Sequence, residues 1–363
     1  MSNTPILFGS PRGQINYSSE TEGITPRTTS IGYWQGKVVD RYVIPPPPPS
    51  IDDVFQGNSF GYVFGGNSPT YPTGFGNTIQ KTSFVSDTTA VSSGELTKDV
   101  RETNGYSSGT DGYAGAGRNN NPFPPSVTEI WKFAFASESV SVFGNFSAPI
   151  YAIGSVSAIG PANGYAVGGK NGISPGPPQS SNIEKFSFTS GGTASVIGTI
   201  SPTFPVGRSQ GHGMQSATDG YHLGGSPGPS NKATKFPFSA DTTTALISDM
   251  PVTASDGSVA ISETDGFITS AARVPAPTTA ILSINFATDT TAVNGDSLNN
   301  GAYKGTGPSS LIYGYSSGGY DPSPAFVFLD RISKYSYSNT TDYADVGTLS
   351  YQNAAAGPTG TQS

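Results

Sequence analysis

Few residues in this chain are of types that do covalent or metal chemistry. Among its 363 residues there is no Cys, and the only His are His212 and His222. A thiolate nucleophile, a disulfide framework and a Cys-ligated zinc or iron–sulfur site are therefore excluded. Two imidazoles cannot build a His-rich metal cage, so no metal and no cofactor is expected. His212 lies in Ser209-Gln-Gly-His-Gly-Met214, and His222 stands where equivalent segments carry Val, Ala or Ser. His222 reads as pointing into a blade, the His212 segment is variable, and neither is expected to be catalytic. The Gly-rich phrases contain no Gly-x-x-x-x-Gly-Lys-Ser/Thr phosphate loop and open no helix. A Gly-x-Ser-x-Gly nucleophile elbow is missing as well. With 25 acidic residues, some pair will fall near a cleft, so paired carboxylates for glycoside cleavage say little by themselves.

The elements that position these residues come from a repeat. One phrase runs Gly61-Tyr-Val-Phe-Gly-Gly66, Gly112-Tyr-Ala-Gly-Ala-Gly117, Gly164-Tyr-Ala-Val-Gly-Gly169 and Gly220-Tyr-His-Leu-Gly-Gly225. It continues as the degenerate Gly266-Phe-Ile-Thr-Ser-Ala271 and as Gly314-Tyr-Ser-Ser-Gly-Gly319. Successive starts are 51, 52, 56, 46 and 48 residues apart. A second phrase follows each, as in Ile130-Trp-Lys-Phe-Ala-Phe135 and Ile183-Glu-Lys-Phe-Ser-Phe188. Its third position is Lys81, Lys132, Lys185, Lys235, Ser283 and Lys334 in turn. Period-2 alternation with aromatic and β-branched residues makes both phrases strands. The Ser86-Asp-Thr-Thr89 type of turn leads to a further strand, such as Val196-Ile-Gly-Thr199. Asp there is expected to accept backbone N–H bonds. A small-residue segment then leads into the next Gly-Tyr. Four short strands per unit of about 50 residues is the arithmetic of a propeller blade, and six copies predict six blades.

The Gly-Tyr-x-x-Gly-Gly phrase at this spacing resembles the kelch-type β-propeller, although the Trp found later in a kelch unit is absent. The chain is thus expected to be all-β: a six-bladed kelch-like β-propeller over 51–363 with an extended N-terminal arm over 1–50. The combination with Ile-x-Lys-Phe-Ser-Phe and Ser-Asp-Thr-Thr-Ala is similar to repeat proteins of tailed, especially marine, bacteriophages. That resemblance implies a non-enzymatic virion component, as capsid decoration or tail fibre, and a virion location. A carbohydrate-binding adhesin is the second reading, and a polysaccharide-cleaving enzyme the third. Paired glycines fit places needing φ > 0 or close backbone approach, and the Tyr or Phe should pack between blades. The repeated Lys is expected to lay its stem on an aromatic and point its ammonium to solvent or a loop carbonyl.

A propeller must close without a free sheet edge. Residues 351–363 match the small-residue segment before each Gly-Tyr and are expected to supply the inner strand of the blade that begins at Gly61. Residues 1–50 end in Ile44-Pro-Pro-Pro-Pro-Pro-Ser50, a semi-rigid polyproline rod. They hold four Lys/Arg and three Asp/Glu, a net +1, so the remainder carries −8 of the total −7. Phe8, Tyr17, Tyr33, Trp34 and Tyr42 on this arm are the candidate contacts to other virion proteins. Tyr71, Phe75 and Phe123 are expected on stiff rim loops that could meet a host-surface glycan. The net charge of −7 argues against nucleic acid as a partner. No apolar run approaches the roughly 18–20 residues of a membrane span, and the N-terminus lacks the pattern of a signal peptide.

Overall fold

Each Gly-Tyr phrase forms the second strand of a sheet, and each Ile-x-Lys-Phe phrase the third. In the second blade the strands run Asn104–Ser107, Asp111–Gly115, Glu129–Ala134 and Ser139–Asn145, paired antiparallel in sequence order. The third (Gly154–Ala158 to Ser195–Thr199), fourth (His212–Gln215 to Ala245–Ala254) and fifth (Ser258–Ile261 to Thr290–Ser297) repeat that order. In the sixth, Tyr313–Ser317, Arg331–Ser336 and Tyr343–Thr348 pair, and the inner strand is reduced to bridges from Thr306 to Ser317 and Ser309 to Gly314. The first blade takes Phe60–Asn67, Phe75–Ser83 and Val91–Val100. Its inner strand comes from the far end of the chain: Thr361 pairs with Tyr62 and Gln362 with Gly61. The architecture is an all-β six-bladed propeller.

This computed structural model describes residues 57, 59–69, 74–119, 126–158, 162–171, 179–200, 207–227, 230–269, 271, 280–297, 302–321, 327–341, 343–352 and 361–362. It also gives the backbone of Ile6–Leu7, Gln14–Ile15, Tyr33–Trp34 and Lys37–Val38. No helix occurs among the described residues. The chain divides into two compact units, Met1–Ser50 and Ile51–Ser363. In the first, the four short strands form two antiparallel pairs.

The blades are joined by one contact made six times. The aromatic after the first Gly packs against the last aromatic of the next blade's second phrase, stacked at five seams and tilted at the one between blades four and five. Tyr62 meets Phe135 at 5.3 Å, Tyr113 meets Phe188 at 4.7 Å, and Tyr165 meets Phe238 at 5.4 Å. Tyr221 meets Phe286 at 5.0 Å, Phe267 meets Tyr337 at 5.1 Å, and Tyr315 returns to Phe84 at 4.7 Å, which closes the circle. All six leading rings are buried. Each such pair adds about 0.5–1.5 kcal/mol beyond the area it buries. Because a blade packs on both faces, the alternation of the second phrase does not sort apolar from solvent-facing residues. Ile183 and Glu184 are both buried, and Glu184 accepts a hydrogen bond from the Ser147 N–H at 2.8 Å. The Gly-Gly pair turns the strand end in the left-handed region: Gly168 has φ 72° and Gly169 φ 108°.

Candidate functional site

The repeated Lys sits beside this aromatic seam, and its partner corrects the expectation of solvent or a carbonyl. Lys81 bonds Glu138 at 2.5 Å, Lys185 bonds Asp241 at 3.0 Å, Lys235 bonds Asp289 at 2.5 Å, and Lys334 bonds Asp87. In every case the acid lies in the hairpin turn of the following blade. Asp87, Glu138 and Asp289 adopt φ of 47–56° there. Asp87 was expected to accept backbone N–H groups. That task falls instead to Ser83 Oγ, which accepts from Val85 and Ser86. The aromatic half of the expectation is met, since Lys81 Nζ lies 3.9 Å from the Phe60 ring centre and Lys334 Nζ 4.2 Å from that of Tyr313.

Two seams depart from the rule. Between blades two and three the turn position is Gly191, also left-handed (φ 62°), where a Cβ would lie 2.4 Å from the Phe143 carbonyl oxygen. No acid fits. The turn instead adds Gly192–Thr193 as a parallel strand to Ser139–Asn145 of the second blade, and Lys132 pairs with Asp111 of its own sheet at 3.0 Å. Between blades five and six, Ser283 replaces the Lys and Thr340 replaces the acid. The two halves of the pair are missing at the same seam.

With the repeated residues engaged between or within blades, side chains that differ from copy to copy are left to act on a ligand. Five of these converge at one end of the central axis. Glu102, Ala152, Gln210, Asp256 and Lys304 each lie two residues before an inner strand or its equivalent. All five are left-handed, with φ of 52–60°. They form a belt of backbone hydrogen bonds: Ala152 N–H donates to Glu102 O (3.3 Å), Gln210 to Ala152 (2.7 Å), Asp256 to Gln210 (3.0 Å) and Lys304 to Asp256 (2.6 Å). The side chains continue it. Gln210 Nε2 donates to Asp256 Oδ1 at 2.9 Å, and Lys304 Nζ reaches Glu102 at 3.4 Å and Asp256 at 4.0 Å. A non-glycine residue in this region costs of order 1 kcal/mol or more, and such strain gathers at functional sites.

Burial pushes Asp256 up to about 6, with Glu102 adding to the shift and Lys304 and Lys170 opposing it. Burial pulls the Lys304 ammonium down, but Asp256 and Glu102 outweigh it and hold it above the usual lysine value. Tyr151 is raised by burial and by Glu102, against the opposing fields of Arg118, Arg101 and Lys304. The inner strands below the belt are pressed together, since a Cβ on Gly213 would lie 2.2 Å from Ser155 O and one on Gly307 2.2 Å from Val259 O.

Both histidines are buried beside the axis. His212 Nδ1 donates to Leu223 O at 3.1 Å and Nε2 accepts from the Gly257 N–H at 2.9 Å, which ties the fourth blade to the fifth. His222 has no partner at either ring nitrogen. Burial lowers both, His212 to about 4 and His222 to about 3. No group of three or more His, Asp or Glu suited to a metal occurs among the described residues. No described helix is long and apolar enough to cross a membrane.

Of the residues singled out from sequence, Phe75 is misplaced by the rim-loop reading. It opens the strand Phe75–Ser83 and is 8% exposed, with the Arg101 guanidinium 4.4 Å from its ring centre. The strand begins earlier than the phrase Ile79-Gln-Lys suggests, so the aromatic enters the sheet. Tyr71 and Phe123 lie outside the described residues, as do Phe8, Tyr17 and Tyr42. Tyr33 and Trp34 form one strand of the short pair with Lys37–Val38. Sequence reasoning missed the axial belt. The only trace of it is a recurring non-glycine residue shortly before each inner strand, with no shared side-chain type. The fold and this mouth define a six-bladed β-propeller with one polar axial end. No family model matches the chain, and no curated protein does.

Proposed function

We propose that this chain is a non-enzymatic structural component of a virion, a rigid propeller carried by residues 1–50 on a partner virion protein, as capsid decoration or as part of a tail fibre. The observation that carries the reading is the use of the repeated chemistry-bearing residues. Six aromatic pairs and four Lys–carboxylate pairs all run from one blade to the next. Such a repeat is selected for a ring that keeps its shape. The kelch-like phrasing, similar to that of tailed-phage repeat proteins, and the separate 50-residue unit support the same reading.

Deleting residues 1–50 tests it. The shortened chain should keep the β-sheet circular dichroism and unfolding midpoint of the propeller, yet no longer enter particles assembled in its presence. Mass spectrometry of purified particles should find the full chain at a fixed copy number. A chain missing from the particles, or one that depolymerises a polysaccharide with multiple turnovers, overturns the reading.

A further inference from the structure

The axial mouth is built unequally around the ring. Just past the Gly-Gly turn, the residue that pairs back across the blade is Arg118, Lys170, Ser226 and Tyr320 in blades two, three, four and six. Its partners are Arg101, Tyr151, Ser209 and Tyr303. The backbone is the same at each place, and serines satisfy it in the fourth blade. The fold therefore does not require the long cationic and aromatic side chains found in the others. One side of the mouth carries Ser, and the other carries a shelf of guanidinium, ammonium and phenol groups.

The shelf runs in two stretches. Arg118 Cζ lies 5.9 Å from the Tyr151 ring centre, Tyr303 and Tyr320 face each other at 5.4 Å, and Asn67 Nδ2 donates to the Tyr320 hydroxyl at 2.8 Å. Inside it stand Lys304, Glu102 and Asp256 on their strained backbone positions. Four cations thus converge with two carboxylates, in a chain whose net charge is −7.

We infer that this mouth is a binding site for an acidic saccharide, with Arg118 and Lys170 taking its carboxylate or sulfate groups, the half-buried Tyr303 and Tyr320 its ring faces, and Glu102 and Asp256 its hydroxyls. Cations give strong charge-assisted bonds to such anions. Phenol rings offer a flat apolar body with a polar tip. Ionised carboxylates accept only, which suits the donating hydroxyls of a sugar, a group the backbone of DNA lacks. A closed rigid ring loses little entropy on binding. This goes beyond the structural role proposed above and is independent of whether the chain enters a particle.

Calorimetric titration of the full chain with hexagalacturonate and with a heparin-derived hexasaccharide tests the site, beside neutral cellohexaose and the hexanucleotide of thymidine. At least one acidic saccharide should bind, more weakly as salt rises, with the neutral and nucleic-acid probes at least about 10-fold weaker. Arg118→Gln, Lys170→Gln and Tyr303→Leu should each weaken binding about 10-fold, the scale of one charge-assisted contact for the two cations and of one ring contact for the tyrosine. Lys232→Gln, on the third strand of the fourth blade where the lysine pairs with Asp249, should leave it unchanged, and unfolding midpoints will separate lost contacts from lost structure. Absence of binding by both acidic probes, equal binding of the oligonucleotide, or wild-type affinity in all three folded mouth variants overturns the inference.

Discussion

The Lys–carboxylate pairs at the seams make a quantitative claim that a double-mutant cycle can check. Lys235 and Asp289 join blades four and five at 2.5 Å, with side chains 31% and 25% exposed. A fully exposed pair couples by about 0.2–1 kcal/mol, whereas hydrogen bonds to charged groups reach about 1.5–3 kcal/mol. A pair sheltered to this degree should couple by about 1 kcal/mol. Asp289 also accepts from the buried Tyr221 hydroxyl at 3.2 Å, so its loss should cost more than that of Lys235, about 2 against about 1 kcal/mol. Lys235→Met keeps the aliphatic stem near the Tyr221 ring, and Asp289→Asn tolerates the φ of 56° at that turn. Urea unfolding of the wild type, both single variants and the double variant gives the coupling. The same cycle on Lys232 and Asp249, a pair within blade four that is 38% and 48% exposed, is the control and should give about 0.3 kcal/mol or less. A seam coupling no larger than that of the control would refute the idea that these lysines fasten the ring.

Three further outcomes are expected. Asp256 has a folded pKa raised to about 6 above its unfolded value, so its contribution is present at low pH and is lost as pH rises through 6. Asp256→Asn should therefore gain about 1–2 kcal/mol over wild type at pH 8 relative to pH 4.5 in urea titrations, and a gain independent of pH would count against it. His212 and His222 are depressed to about 4 and 3, so stability is full above about 6.5 and falls as pH drops toward those values. His222→Leu should lower the pH midpoint of acid unfolding, and an unmoved midpoint would show that this ring is not what fails. Removing residues 353–363 takes away the strand that pairs with Gly61 and Tyr62. Hydrogen exchange should then rise first in Phe60–Asn67, and uniform protection across all six blades would contradict closure by that strand.

Much of this protein was legible in its residues because a repeat reports its own packing. Six aromatics in phase with six Gly-Tyr phrases can be buried together only if each unit meets the next in the same way. That fixes blade number, strand order and the stacking of Tyr62, Tyr113 and their equivalents. The absence of Cys ruled out thiolate and disulfide chemistry from the sequence alone. The pairing of Lys235 with Asp289 joins residues 54 positions apart in neighbouring units. Only the curvature of the ring brings a third strand over the next blade's turn. Gly191 shows the same dependence, since only a neighbouring carbonyl reveals why an acid cannot stand there. The axial mouth lay furthest from view. Glu102, Ala152, Gln210, Asp256 and Lys304 follow one another at 50, 58, 46 and 48 positions, close to the period of the repeat, but no shared residue type marks them. They meet because six inner strands start around one axis, and that convergence belongs to the closed ring rather than to any blade.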